Sequence, residues 1–86
     1  MYKVYILKSL LINRFYIGHT EDLAERLKRH NGGRVRSTKA YKPWGVVYTE
    51  EYETKSEAYR REQEIKSYKS GYKFHELMKS ERWQSG

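Results

Sequence analysis

Phe15-Tyr16-Ile17-Gly18-His19-Thr20-Glu21-Asp22-Leu23 reads as a strand that runs straight into a helix, and the rest of the chain organises around that junction. Phe15 to Gly18 is short, apolar and aromatic, as a strand should be. Thr20 is placed to cap a helix, with Glu21 and Asp22 set favourably in its first turn. Leu23, Leu27 and His30 follow at helical spacing, and Gly32-Gly33 supplies the stop. Upstream, Tyr2 to Lys8 predicts another strand. The stretch Leu10 to Arg14, which contains Asn13, is short enough for a hairpin loop. A hairpin would bring Tyr5 and Tyr16 together although they stand eleven positions apart.

Downstream, the polar and basic stretch from Gly33 to Pro43 has no clear period and reads as a loop. Trp44 to Tyr52 carries Val46-Val47-Tyr48, which predicts a third strand buried on both faces. Thr54-Lys55-Ser56-Glu57 fits a capping box and opens a helix expected to reach Ser67 or Lys69. Gly71 breaks that pattern. Phe74, Leu77 and Met78, with Glu81 or Trp83, then suggest a final helix. The order β-β-α-β-α-α implies an α+β fold, a small three-stranded and largely antiparallel sheet flanked by helices. A single domain over residues 1–80 is expected, with 81–86 as a C-terminal tail.

Of the eighteen basic residues, seven fall between Arg26 and Lys42, where there is no acidic residue. The rest of the chain is balanced, so the whole net charge of +7 sits in one stretch. Charge of one sign so concentrated attracts a polyanion. A basic loop kept only for solubility is the plainer alternative. Arg29, Arg34, Arg36, Lys39 and Lys42 are the expected nucleic-acid contacts. The 86 residues include no cysteine, which excludes disulfides and Cys-based zinc sites. His19, His30 and His75 lack zinc-ligand spacing. No apolar run nears the roughly 20 residues a membrane span needs, and the start does not resemble a signal peptide. A cytoplasmic protein with no membrane partner is expected.

The most telling residues are charges that the helical period turns inward. Ala58, Glu62, Ile65 and Lys69 share one stripe, so Glu62 lies between apolar neighbours while Glu64 falls outside it. An inward carboxylate needs compensation, from a metal ion or from an arginine at the edge of the core. Arg26 and His30, one helical turn apart, could offer a phosphate a planar fork of donors and a group that titrates near neutrality. A solvated face and a helix-end histidine are the ordinary readings of that pair.

Val4-Tyr5, Tyr16-Ile17-Gly18 leading to Arg26-Leu27 and His30-Asn31, and Glu57-Ala58-Tyr59-Arg60-Arg61-Glu62 with Ile65-Lys66 together resemble the GIY-YIG nucleases. The likeness spans about Tyr2 to Leu77 and is strongest to the short stand-alone bacterial members, similar to the N-terminal module of the excision-repair nuclease subunit UvrC. The resemblance implies that Tyr5 and Tyr16 are the signature tyrosines, Arg26 the active-site arginine and Glu62 the single metal-binding carboxylate. His30 matches a histidine seen in part of the family. It implies one divalent ion, Mg²⁺ or Mn²⁺, and no small-molecule cofactor. The implied substrate is DNA, structured or damaged and cut with low sequence specificity, with RNA as a further partner; a homodimer or larger repair assembly is the implied context. Lys3 stands where the first tripeptide has glycine, and Phe74 where many active members carry asparagine. The alternative is therefore a binding module of the same fold with weak or absent catalysis.

Overall fold

The computed structural model describes residues 1–69 and 71–79. Strand β1 (Tyr2–Ser9) turns into β2 (Phe15–Thr20), followed by α1 (Leu23–Asn31), a single 3-10 turn at Lys39–Tyr41, β3 (Trp44–Tyr52), α2 (Lys55–Lys66) and α3 (Tyr72–Lys79). The sheet order is β2-β1-β3, with both pairings antiparallel, so the fold is α+β as expected. Glu81 and Trp83, and the expected tail at 81–86, lie outside the described residues.

Because β1 is central, its run Val4-Tyr5-Ile6-Leu7 is covered on both faces and fully buried. Alternation divides that run between two cores. Val4 and Ile6 pack with Tyr48, Ala58, Ile65 and Phe74 beneath α2 and α3. Tyr5 and Leu7 pack with Trp44, Tyr16, Leu23 and Leu27 on the side of α1. The expectation that β3 is buried on both faces is corrected: β3 is an edge strand, and Val46 and Val47 are only half-buried. A register shift opposite Ile6 and Leu7 sends Val47 to the first core and Val46 to the second.

Two helix boundaries also move. Asp22, not Thr20, caps α1, its carboxylate accepting from the Glu25 N–H at 3.0 Å. Thr20 instead accepts from the Asp22 N–H at 3.2 Å and fixes the turn that delivers the cap. At the other end Gly33 takes φ +78°, the left-handed conformation that glycine adopts without strain. Helix α2 begins with the full capping box at Thr54 and Glu57. It ends at Lys66, so Lys69 does not continue the inward stripe and is exposed.

Candidate active site

The antiparallel register sets Tyr5 directly across from Gly18 and Leu7 across from Tyr16. All four therefore share the face covered by α1. Tyr5 lies over Gly18: a Cβ added there would stand 2.7 Å from the Tyr5 hydroxyl and 3.2 Å from the Tyr16 ring. Glycine at this position is what lets the phenol reach across β2. The two tyrosine rings sit with centroids 6.2 Å apart. Burial, the adjacent Tyr16 and the Glu62 carboxylate together raise the Tyr5 phenol well above its ordinary value, against the opposing pull of Arg26. The charges of Arg26 on α1 and Glu62 on α2 thus both act on the Tyr5 phenol. Arg26 itself is half-buried.

His30 closes this group from α1. Its ring is 4.7 Å from Tyr16 between centroids, and its Nε2 is 3.2 Å from the Tyr5 hydroxyl. Its Nδ1 lies 2.9 Å from Thr38 Oγ1, whose own proton points to the Val35 carbonyl at 3.3 Å. A hydroxyl has one proton, so Thr38 accepts from Nδ1–H, leaving the Nε2 lone pair to receive the Tyr5 O–H. Burial first, and the nearby Arg26 charge second, lower the His30 pKa from its ordinary value, so the ring is neutral at pH 7. Far from facing solvent, His30 is sealed inside and acts on Tyr5.

Glu62 is inward, as its stripe requires, at 7% exposure. It reaches the other face of β2, where Phe15, Ile17 and His19 alternate with Tyr16 and Gly18. Its Oε1 lies 2.5 Å from His19 Nδ1 and its Oε2 2.5 Å from Lys66 Nζ. The residue before it, Arg61, grips Glu50 of β3 with both ends of its fork, each contact at 2.9 Å. Tyr48 and Tyr52 also donate to Glu50. Burial alone would raise the Glu50 carboxyl, but Arg61 and the two hydroxyls outweigh it and hold the pKa below the ordinary carboxylate value. This clamp fixes the rotation of α2 and so the direction of Glu62.

A cleft of about 340 Å³ is lined by Tyr2, His19, Thr20, Glu21, Asp22, Arg26 and Lys55. Tyr5, Tyr16 and Glu62 do not line it; His19 connects it to Glu62. Arg29, Arg34, Arg36, Lys39 and Lys42 are all exposed. Arg29 and Arg34 share an open depression with Lys28 and with Glu25, which pairs with Arg29 at 3.8 Å, while Lys39 and Lys42 flank Gly33. Sequence reading missed His19, Lys66 and Thr38 as partners of the site. Strand parity could have found His19, since Phe15, Ile17 and His19 must share the face opposite Tyr16. Among the described residues no three His, Asp or Glu side chains cluster to hold a metal ion. Glu62 alone, with the adjacent imidazole, suits an ion that takes one protein carboxylate and completes its shell with water.

No helix among the described residues is long and apolar enough to cross a membrane. The profile described as the GIY-YIG catalytic domain matches residues 1–73. UPF0213 proteins of Staphylococcus aureus strains Mu3 and Mu50 are each 46% identical over 66 residues, 76% of this chain and 79% of theirs. The solution NMR structure of a UPF0213 protein from Bacillus halodurans is similar at 35% identity and a TM-score of 0.47, over 78% of this chain and 72% of that one. The profile match and the Staphylococcus aureus relatives show that the chain belongs to the GIY-YIG catalytic-domain family, a family of nucleases.

Proposed function

We propose that this protein is a divalent-metal-dependent endonuclease that hydrolyses DNA phosphodiester bonds, acting on structured or damaged DNA with little sequence preference. The observation that carries the reading is the packing of Tyr5, Tyr16 and His30 on one face of β2, with the buried Glu62 carboxylate held against His19 on the other. Three elements, β1, β2 and α1, have to agree for the two tyrosines to meet His30, and a core tyrosine pair needs no buried carboxylate behind it.

Mg²⁺ or Mn²⁺ would be held by Glu62, with Lys66 leaving one carboxylate oxygen; the Lys66 side chain is 46% exposed and free to swing away. An imidazole beside the carboxylate suits Mn²⁺ better than Mg²⁺. The bound ion supplies Lewis acidity at the phosphoryl oxygens and at water. Arg26 presents its guanidinium to the same phosphate and balances its charge. Tyr5, with its raised pKa and its proton directed to His30, orients the site as a neutral phenol. Tyr16 is half-buried and is the phenol open to the attacking water; it would take that water's proton in its deprotonated form. The exposed cations from Arg29 to Lys42 track the backbone, which positions DNA without reading its sequence. A cytoplasmic location and a homodimer or UvrC-like repair assembly are the context in which such an activity would serve.

Nicking of supercoiled plasmid and of branched DNA with Mg²⁺ or Mn²⁺ tests the reading. Glu62→Ala and Arg26→Ala should each slow cleavage by about a hundredfold or more. Nicking by Glu62→Ala at the wild-type rate would remove the enzyme reading altogether. One observation favours a second reading: Phe74 is buried in the core against Phe15, so that position brings no polar group to the site. In a binding module of that kind, DNA or RNA would be retained, without turnover and regardless of chelator. Competition among duplex DNA, branched DNA and RNA at fixed salt separates the substrates.

A further inference from the structure

The hairpin between β1 and β2 holds three consecutive aliphatic side chains out in water: Leu10 at 69%, Leu11 at 64% and Ile12 at 45% exposure. The tip is firmly built. Ser9, itself buried, accepts from the N–H groups of Leu11 and Ile12 at 3.1 and 3.3 Å and donates to the Tyr41 carbonyl at 2.7 Å. The Leu10 N–H reaches the Pro43 carbonyl at 2.9 Å, and the Arg14 guanidinium lies 4.5 Å over the Tyr41 ring. The apolar tip is therefore bolted to the end of the basic loop.

We propose that Leu11 and Ile12 form a wedge that enters DNA at a weakened base step while Arg14, Lys39 and Lys42 hold the flanking phosphates. Charge chooses this partner. Residues 1–20 and 26–49, the two segments that meet at the tip, contain no carboxylate at all. A second copy would bring the same cations against themselves, whereas a polyanion complements them. Aliphatic side chains inserted between base pairs unstack a step and bend the duplex, most cheaply where pairing is already lost. This inference rests on the nucleic-acid reading above and gives that reading a substrate class: DNA with a mismatch, bulge or junction.

The full chain and a Leu11→Ser/Ile12→Ser variant, without added metal, are titrated onto duplexes carrying 2-aminopurine at a bulge or in perfect pairing. Both substitutions are at exposed positions, and thermal melting verifies that the variant folds. Wild type should raise the fluorescence at the bulge. The variant should not, and should bind bulged DNA about tenfold more weakly while its perfect-duplex affinity stays within about twofold. Equal signals from the two proteins would overturn the wedge. So would loss of a wild-type dimer in the variant, or tip-dependent binding to phosphatidylserine vesicles, since either names a different occupant. Unstacking without cleavage under Mg²⁺ or Mn²⁺ leaves the wedge standing and removes hydrolysis; cleavage without unstacking does the reverse.

Discussion

Gly18 decides where Tyr5 can stand. A methyl group there would sit 2.7 Å from the Tyr5 hydroxyl and 2.8 Å from its ring carbon, closer than packed atoms approach. Tyr5 is buried among rigid neighbours and cannot simply step aside. Gly18→Ala should therefore cost about 1–3 kcal/mol, the usual range for overpacking, and should suppress nicking beyond what lost stability explains. Denaturant titration and plasmid nicking read the two effects, and an alanine variant unchanged in both would mean that the phenol has another place to go. Much at this scale was legible in the sequence. Hairpin spacing and parity bring Tyr5 and Tyr16 together, and helical period turns Glu62 inward. Thr38 was not legible, because it lies in a stretch without period and its value depends on where the chain folds back. His30 was half legible: its place on the helix followed from spacing, its complete burial did not.

Among the elements, α2 does most to orient the site, and the Glu50–Arg61 clamp holds it to β3. The bidentate contact, with Tyr48 and Tyr52 donating as well, stabilises the Glu50 carboxylate in the folded state. Its folded pKa is thus depressed from an ordinary value of about 4.5. A depressed carboxyl contributes stability above the unfolded pKa and loses it as pH falls through the folded one. Wild type should therefore weaken steadily as pH drops below about 4.5. Glu50→Gln should lose about 2 kcal/mol at neutral pH, the scale of a hydrogen bond to a charged group, and show a shallower acid decline. Denaturant midpoints from neutral pH to about pH 3 check both, and identical acid slopes would show that the clamp carries no linkage. The capping box at Thr54 was readable because both partners lie within one turn. The cap at Asp22 was misplaced because Thr20, Glu21 and Asp22 all suit a helix start, and only the turn closed by Thr20 selects among them. For β3 the apolar run Val46-Val47 suggested a central strand, yet pairing order decides burial, and β1 took the middle.

Over the whole molecule the asymmetry of charge is the dominant feature. Carboxylates gather at residues 21–25 and from 50 onward, leaving the hairpin tip and the loop through Lys42 purely cationic. Arg29, Arg34, Arg36, Lys39 and Lys42 are exposed and able to meet phosphates without conformational cost to the core. Each phosphate neutralised releases condensed counterions, contributing about −0.9 to the slope of log affinity against log salt on duplex DNA. Five such contacts predict a slope of about −4 to −5. The double variant Arg36→Ala/Lys39→Ala should flatten the slope by about two units and weaken binding equally on unrelated sequences, because phosphate contacts carry no base information. Fluorescence anisotropy across a salt series measures both quantities. A slope unmoved by the double variant would place the DNA elsewhere, and a loss confined to particular sequences would mean that these cations read base edges instead of following the backbone. Because neither residue touches the Tyr5–His30 pair or Glu62, cleavage at saturating DNA should persist in the same variant. That split between binding and turnover would assign the charge asymmetry to capture and the β2 cluster to chemistry.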